Sequence, residues 1–242
     1  MAAFSVIVPV YNEEKILAAS IDTLHAYLQG LGKEFELIIA NDGSSDGSLR
    51  LAEECMKKYP EIRVISQKRN QGRGSILSKA FSRIRSPLGI YIDADLAIGL
   101  EALPRILEAL EHGVGVAIGS KHLAASRVAS SFKRKLTSKG YAFLARLLLG
   151  SSVRDFQCGC KGFRKEVLDV LLPQIQEPGW SWDTEIVVRA AWMGFAVQEI
   201  PVGVKDIDGR ESKVQVWRDI KRMGSGLLRL RNEKKRFMQE AL

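Results

Sequence analysis

Phe4-Ser5-Val6-Ile7-Val8-Pro9-Val10-Tyr11-Asn12-Glu13-Glu14 opens with a Val/Ile run that breaks abruptly into polar residues. A short run rich in β-branched residues fits a buried strand and is too brief for a buried helix. Leu17, Ile21, Leu24 and Leu28 then recur at helical spacing, up to Gly30 and Gly32. The pattern repeats along the first half. Further strands are expected at 35–41, 62–66, 89–93 and 114–119. Between them, Asp46 or Ser45 can cap a helix that reaches Tyr59, where Pro60 stops it. Ile76, Leu77, Ala80, Phe81 and Ile84 mark a third helix, and Leu103, Ile106, Leu107 and Leu110 a fourth. This β-α-β-α order predicts an α/β fold with a mostly parallel sheet flanked by helices. Such sheets bind ligands beyond the carboxyl ends of their strands, so the residues just after each run become the candidates.

Those residues exclude some chemistry at once. A dinucleotide-binding turn needs glycines where Pro9-Val10-Tyr11-Asn12-Glu13-Glu14 stands, and Gly72-Arg73-Gly74 lacks the required context. Three cysteines, Cys55, Cys158 and Cys160, form no disulfide framework and suggest a reducing compartment, while three scattered histidines show no zinc spacing. The chain is 242 residues long, 46% apolar and 26% charged, as expected for a globular protein and not for a disordered one. No stretch has the length of apolar sequence that a membrane span needs. Met1–Val10 carries no positive charge and runs straight into a strand, which argues against a cleaved signal peptide.

The net charge of +8 is unevenly placed. Residues 121–150 hold seven basic side chains and no acid, and residues 214–242 hold eight basic and three acidic ones. The first of these segments reads as an amphipathic helix over 128–149, and the last again as helical and basic. Between them lie a Gly/Cys segment (155–163), a Trp-rich segment (179–185), a helix to Met193 and a strand-like stretch 196–204. Concentrated positive charge calls for an anionic partner: phosphates, anionic lipid or nucleic acid.

Two acidic turns carry the chemistry. One is Asn41-Asp42-Gly43-Ser44-Ser45-Asp46-Gly47, which by itself is an ordinary turn before a helix. The other is Asp93-Ala94-Asp95, after the apolar Ile90-Tyr91-Ile92. Alternate residues of an extended chain point the same way, so these two carboxylates can converge on one hard cation, Mg²⁺ or Mn²⁺.

Taken in order, these motifs resemble the glycosyltransferase family 2 enzymes of GT-A fold. Asp155-Phe156-Gln157-Cys158-Gly159-Cys160-Lys161-Gly162-Phe163, Glu199-Ile200-Pro201-Val202 and Arg210-Glu211-Ser212-Lys213 extend the resemblance to the polyprenyl-phosphate hexose synthases, which include the dolichyl-phosphate mannose and glucose synthases. The resemblance implies roles for matching positions. Pro9, Tyr11 and Glu13 would line the nucleotide pocket, with Asp42 near base or ribose. Asp93 and Asp95 would hold the cation against the donor diphosphate. Lys121, Arg134, Arg210 and Lys213 would surround donor and acceptor phosphates. Asp155 and Glu185 would orient the acceptor or its basic neighbours. Asn41 stands where an acid is commoner. Ala97 stands where the mannose synthases carry a glutamine, so the chain looks closer to the glucose type.

The resemblance also implies a division of labour and a location. Residues 1–213 would form the catalytic domain, with 1–120 taking the nucleotide-sugar (UDP-glucose or GDP-mannose) and 121–213 the acceptor. Residues 214–242 would form a basic amphipathic appendage. A phosphate acceptor, largely dianionic with a second pKa near ~6, needs no strong general base. The expected reaction is therefore in-line displacement with inversion. The expected location is cytoplasmic, peripheral to an anionic membrane surface through the basic amphipathic segments. The alternatives for those apolar faces are core packing or a homo-oligomer contact. Two other functions stay open: a family 2 transferase acting on a sugar hydroxyl, which needs a defined base, and a nucleic-acid module, which leaves the metal acids unexplained.

Overall fold

The computed structural model describes residues 2–128, 132–205 and 224–234, with the backbone alone for 132–139. The alternating first half forms β1 (Phe4–Val10), α1 (Leu17–Gly30), β2 (Phe35–Asn41), α2 (Ser48–Lys58), β3 (Ile62–Ser66), α3 (Arg73–Phe81), β4 (Leu88–Ile92), α4 (Ala102–Glu111) and β5 (Val116–Ser120). Then follow β6 (Arg127–Val128), α5 (Phe132–Leu149), β7 (Cys160–Arg164), α6 (Lys165–Leu171), α7 (Trp182–Trp192), β8 (Val197–Pro201) and β9 (Gly203–Val204). Residues 224–234 are helical.

Seven strands make the main sheet, in the order β3-β2-β1-β4-β7-β5-β8. All neighbours are parallel except β7, which runs antiparallel between β4 and β5. Alternate residues of β1 and β2 go to opposite faces, as a two-sided buried sheet requires. Phe4, Val6, Val8, Leu37 and Ile39 pack with α1, α2 and α4. Ile7, Ile38 and Ala40 pack with α3, α6, α7 and Leu227 and Leu230 of the 224–234 helix. The apolar stripe Leu17, Ile21, Leu24 and Leu28 is fully buried, so α1 sits on the sheet as its spacing predicts.

Helix α2 starts at Ser48, directly after Gly47, and Asp46, one of the two expected caps, accepts the Ser48 amide on its Oδ1 at 3.0 Å. Some elements depart from the sequence expectation. Helix α5 starts at Phe132 and not at 128, with Val128 paired in β6 against β9, and the expected strand 196–204 divides into β8 and β9. Strand β7 was not expected, because Cys-Lys-Gly-Phe-Arg has neither β-branched residues nor apolar alternation. Pairing on both edges supplies its backbone hydrogen bonds and overrides weak local preference. Its insertion places residues of the 121–213 half inside the sheet of the first half.

Candidate active site

Strand order reverses at β1, with β2 on one side and β4 on the other. In an open α/β sheet that reversal opens a crevice at the carboxyl ends. The loops after β1, β2 and β4 all emerge there.

The first two loops are tied together by side chains. Asn12, at φ 53°, accepts the Ser45 amide on its Oδ1 at 2.8 Å, and its own amide donates to Ser44 Oγ at 3.0 Å. The Glu13 amide donates to Ser48 Oγ at 2.8 Å. Glu14 takes the Gly47 amide at 3.0 Å and donates its own amide to Asp46. Pro9 ends up paired with Ala40, and Tyr11 lies exposed at the mouth. Asn41, buried at the end of β2, donates to Ser66 and accepts from Ser44. The acid usual at that position would lack the amide donor used here.

Asp42 is buried and already engaged. Its Oδ1 accepts Gln67 Nε2 at 2.7 Å and the Gln71 amide at 2.9 Å, and its Oδ2 accepts the Gly72 amide at 2.9 Å. Burial raises its pKa despite these donors. Asp42 therefore fixes the 67–72 loop, which delivers Arg73 to the site. Gly72 turns that loop at φ 108°, with its α-carbon so close to Pro178 that a β-carbon would lie 2.3 Å from the carbonyl oxygen.

Asp93 and Asp95 stand just past β4, but the chain there is not extended. The Leu96 amide donates to Asp93 O at 3.0 Å, closing a turn, and Leu96 has φ 49°. Strand alternation therefore does not set the two carboxylates. Asp95 Oδ1 accepts the Ala97 amide at 3.1 Å. Asp93 Oδ1 lies 2.6 Å from Arg73 Nη2. The other Arg73 nitrogen reaches Asp183 Oδ2 at 2.5 Å. Behind this, Lys161 Nζ donates to Asp183 Oδ1 at 2.7 Å and to the Tyr91 hydroxyl at 2.9 Å, and that hydroxyl donates to Asp183.

Sequence reasoning missed this cluster. Arg73 was weighed only as part of a failed glycine motif, and Lys161 and Asp183 carried no role. One signal was available: a lysine and an aspartate inside segments that otherwise read as apolar, which require each other if buried. Burial alone would raise the Asp183 pKa, but Lys161 and Arg73 pull it below its ordinary value. Burial, with Asp183 beside it, pushes the Tyr91 phenol well up. Burial likewise lifts the Cys158 thiol to about 12, so it is inert as a nucleophile.

After β5, the Lys121 amide donates to Asp155 Oδ2 at 2.9 Å, and its ammonium lies 3.7 Å from the same oxygen. Burial would lower the Lys121 pKa, but Asp155, Cys158 and Asp93 together raise it, so Lys121 stays charged within the field of Asp93. Glu199 anchors the loop by accepting the Arg154 and Asp155 amides at 3.0 Å each. Glu185 is occupied elsewhere: it accepts the Glu177 amide at 2.9 Å and pairs with Arg189 and Arg229 at 2.8 and 3.0 Å. It docks the 224–234 helix. Arg134 belongs to α5, and Arg210 and Lys213 lie outside the described residues.

Asp93 and Asp95 supply two carboxylates within one turn, the oxygen donors that suit a small hard cation. Among the described residues no group of three or more acids, cysteines or histidines could hold a metal ion by itself. Mg²⁺ and Mn²⁺ sites of this kind take one or two carboxylates and complete their shell with water and substrate phosphate.

Residues 5–172 match the family described as Glycosyl transferase family 2. The chain belongs to glycosyl transferase family 2. Its mostly parallel α/β sheet flanked by helices, with acids after β4, is the GT-A arrangement of that family. It is 35% identical over 230 residues to Glycosyltransferase AglD of Haloferax volcanii, covering 93% of this chain and 36% of that protein. It therefore spans about a third of AglD's length. It is 31% identical over 242 residues to the human dolichyl-phosphate beta-glucosyltransferase, covering 94% of this chain and 74% of the relative. Among solved structures, the glucosyl-3-phosphoglycerate synthase of Mycobacterium tuberculosis, in complex with Mn²⁺, UDP-glucose and phosphoglyceric acid, superposes with a TM-score of 0.70 at 18% identity. That match covers 96% of this chain and 80% of the other.

Proposed function

We propose that this enzyme transfers a hexose from a nucleotide-sugar to a polyprenyl or dolichyl phosphate, with inversion, at a membrane surface. One observation carries the acceptor assignment. The acceptor-side carboxylates Asp155, Asp183 and Glu185 are all buried and ion-paired. None is poised to deprotonate a sugar hydroxyl, whereas a phosphate acceptor brings its own nucleophilic oxygen. The names borne by relatives support the same reading.

On this reading Asp93 and Asp95 hold a divalent cation, which would neutralise charge on the departing nucleoside diphosphate. Pro9, Tyr11, Glu13 and Asp42 form the nucleotide side, Asp42 through the loop it fixes. Lys121, Arg134, Arg210 and Lys213 draw the acceptor phosphate against electrostatic repulsion. Residues 1–120 and 121–213 divide donor and acceptor duties. None of the described helices is long and apolar enough to cross a membrane. Contact with a lipid substrate then falls to amphipathic surfaces such as α5, where Phe143 and Leu147, one turn apart, are 66% and 68% exposed.

The test is product analysis with a panel of sugar nucleotides, offered polyprenyl phosphate, the matching polyprenol, or a free oligosaccharide. Lipid-phosphate-linked hexose from one donor, with no transfer to the hydroxyl acceptors, is the expected result. Equal transfer to an oligosaccharide in the absence of lipid phosphate would overturn it.

A further inference from the structure

The buried cluster behind the acidic turn joins the two halves of the enzyme through one side chain. Arg73 is the first residue of α3, where the helix dipole disfavours a cation. It is retained there by two carboxylates from distant elements, Asp93 after β4 and Asp183 in the first turn of α7. Its guanidinium lies between two aromatic faces, 4.9 Å from the Tyr91 ring centre and 5.4 Å from that of Trp180. Lys161 balances the second acid, so the four charged groups sum to zero. Side-chain exposure falls from 36% at Asp93 to 12% at Arg73, 3% at Asp183 and 0% at Lys161. Asp93 is thus the end of the cluster that opens to solvent.

We infer that Arg73 is a positioning residue: it fixes the Asp93 carboxylate for donor and cation, and is itself aimed by Asp183 from the acceptor half. This rests on the proposed role of the Asp93-Ala94-Asp95 turn. A lysine cannot replace it, because an ammonium is a point charge and cannot span two carboxylates with a planar fork. With Arg73 Nη2 on its Oδ1, Asp93 has one oxygen less for the cation. Tight cation binding then needs diphosphate oxygens, so metal and donor are taken up together. Asp183 is 3% exposed, and its link to Asp93 runs through Arg73.

The test counts bound Mn²⁺ by electron paramagnetic resonance, with and without UDP, on the full chain. The parent should bind Mn²⁺ far more tightly with UDP. Arg73→Lys and Asp183→Asn should each weaken binding in the presence of UDP by about 10–100-fold, the range for residues that orient metal ligands. The double variant should lose no more than the worse single one, since both act on one carboxylate. Where Arg73→Lys or Asp183→Asn fails to fold by circular dichroism, Asp183→Asn combined with Lys161→Met, which removes both buried charges together, carries the test. Folded variants that bind Mn²⁺ with UDP like the parent overturn the inference. A parent that binds no Mn²⁺ with UDP present overturns the metal reading instead. The crystal structure of Arg73→Lys then decides the positioning role: an unmoved Asp93 carboxylate refutes it, and a displaced one supports it.

Discussion

A β-carbon on Gly159 would lie 2.0 Å from Asp93 Oδ2, so the acid occupies the space that any other residue at 159 would need. The contact is reinforced by the Asp93 amide, which donates to Gly159 O at 2.9 Å. Gly159 sits immediately before β7, so the unexpected antiparallel strand is what brings this glycine to the acid. Gly159→Ala should swing the Asp93 carboxylate off Arg73 while leaving the core untouched. We predict loss of about tenfold or more in Mn²⁺ affinity with UDP present, the scale for a misoriented ligand, and a melting temperature lowered as in Asp93→Ala, because Arg73 loses the same carboxylate. Calorimetric titration and thermal melts check this; parent-like affinity would show that the contact is dispensable.

Asp95→Ala should abolish divalent-dependent turnover without unfolding the chain, because Asp95 lies in a turn outside the core. Turnover is measured after chelation and resupply of Mg²⁺ or Mn²⁺. Full recovery of rate in the variant would remove Asp95 from the metal site. Asp93→Ala should fold less well, since it strips a carboxylate from Arg73.

Phe143→Ser with Leu147→Ser should weaken flotation on anionic liposomes and leave the melting temperature unchanged, since both side chains are exposed. Parent binding should itself fall with salt, as surface charge is screened over about 8 Å at physiological ionic strength. Parent binding that ignores both salt and these substitutions would assign the face to another subunit.

Arg210→Ala should lower turnover by about 10²-fold, the scale for removing one donor to transition-state charge, and Arg210→Lys should restore only part of it. The expectation rests on its place in Arg210-Glu211-Ser212-Lys213, with saturating donor and lipid phosphate in the assay. Parent-like rates for both variants would place the acceptor phosphate elsewhere.

Stability should hold from neutrality down to the ordinary carboxylate range near about 4 and be lost below it. For Glu36, burial alone would raise the pKa. The Ser5 hydroxyl, the Arg85 amide and Arg63 outweigh it and hold the group below its ordinary value. Asp183 is held low by Lys161 and Arg73 against the same burial. A depressed carboxylate contributes stability above its unfolded pKa, and that contribution disappears as pH falls through the folded one. Asp42, raised by burial, has the opposite sign: its contribution is present below its unfolded pKa and fades as pH rises through the folded value. Urea unfolding at a series of pH values should show a net loss on acidification that is shallower in Glu36→Gln. An unchanged slope in that variant would mean Glu36 titrates alike in both states.

The sequence by itself determined the layered α/β architecture and the position of the acids. Phe35–Asn41 and Ile62–Ser66 form strands with the boundaries their Val/Ile pattern indicates, and α1 buries the stripe its spacing describes. Such patterns are legible because burial on a sheet or a helix face is periodic along the chain. The apolar runs also put Asp42, Asp93 and Lys121 directly after β2, β4 and β5, whose carboxyl ends lie on one edge of the sheet because those strands point the same way. Tertiary structure alone decided how those residues are used. Arg73 and Asp183 are 110 positions apart, and Lys161 reaches them from a strand with no local signature. Their charges could be buried only together, so no local pattern records the pairing. Compensation of charge in a dry interior is a property of the folded chain, and it is what turns Asp93 from one acid in a loop into a held carboxylate.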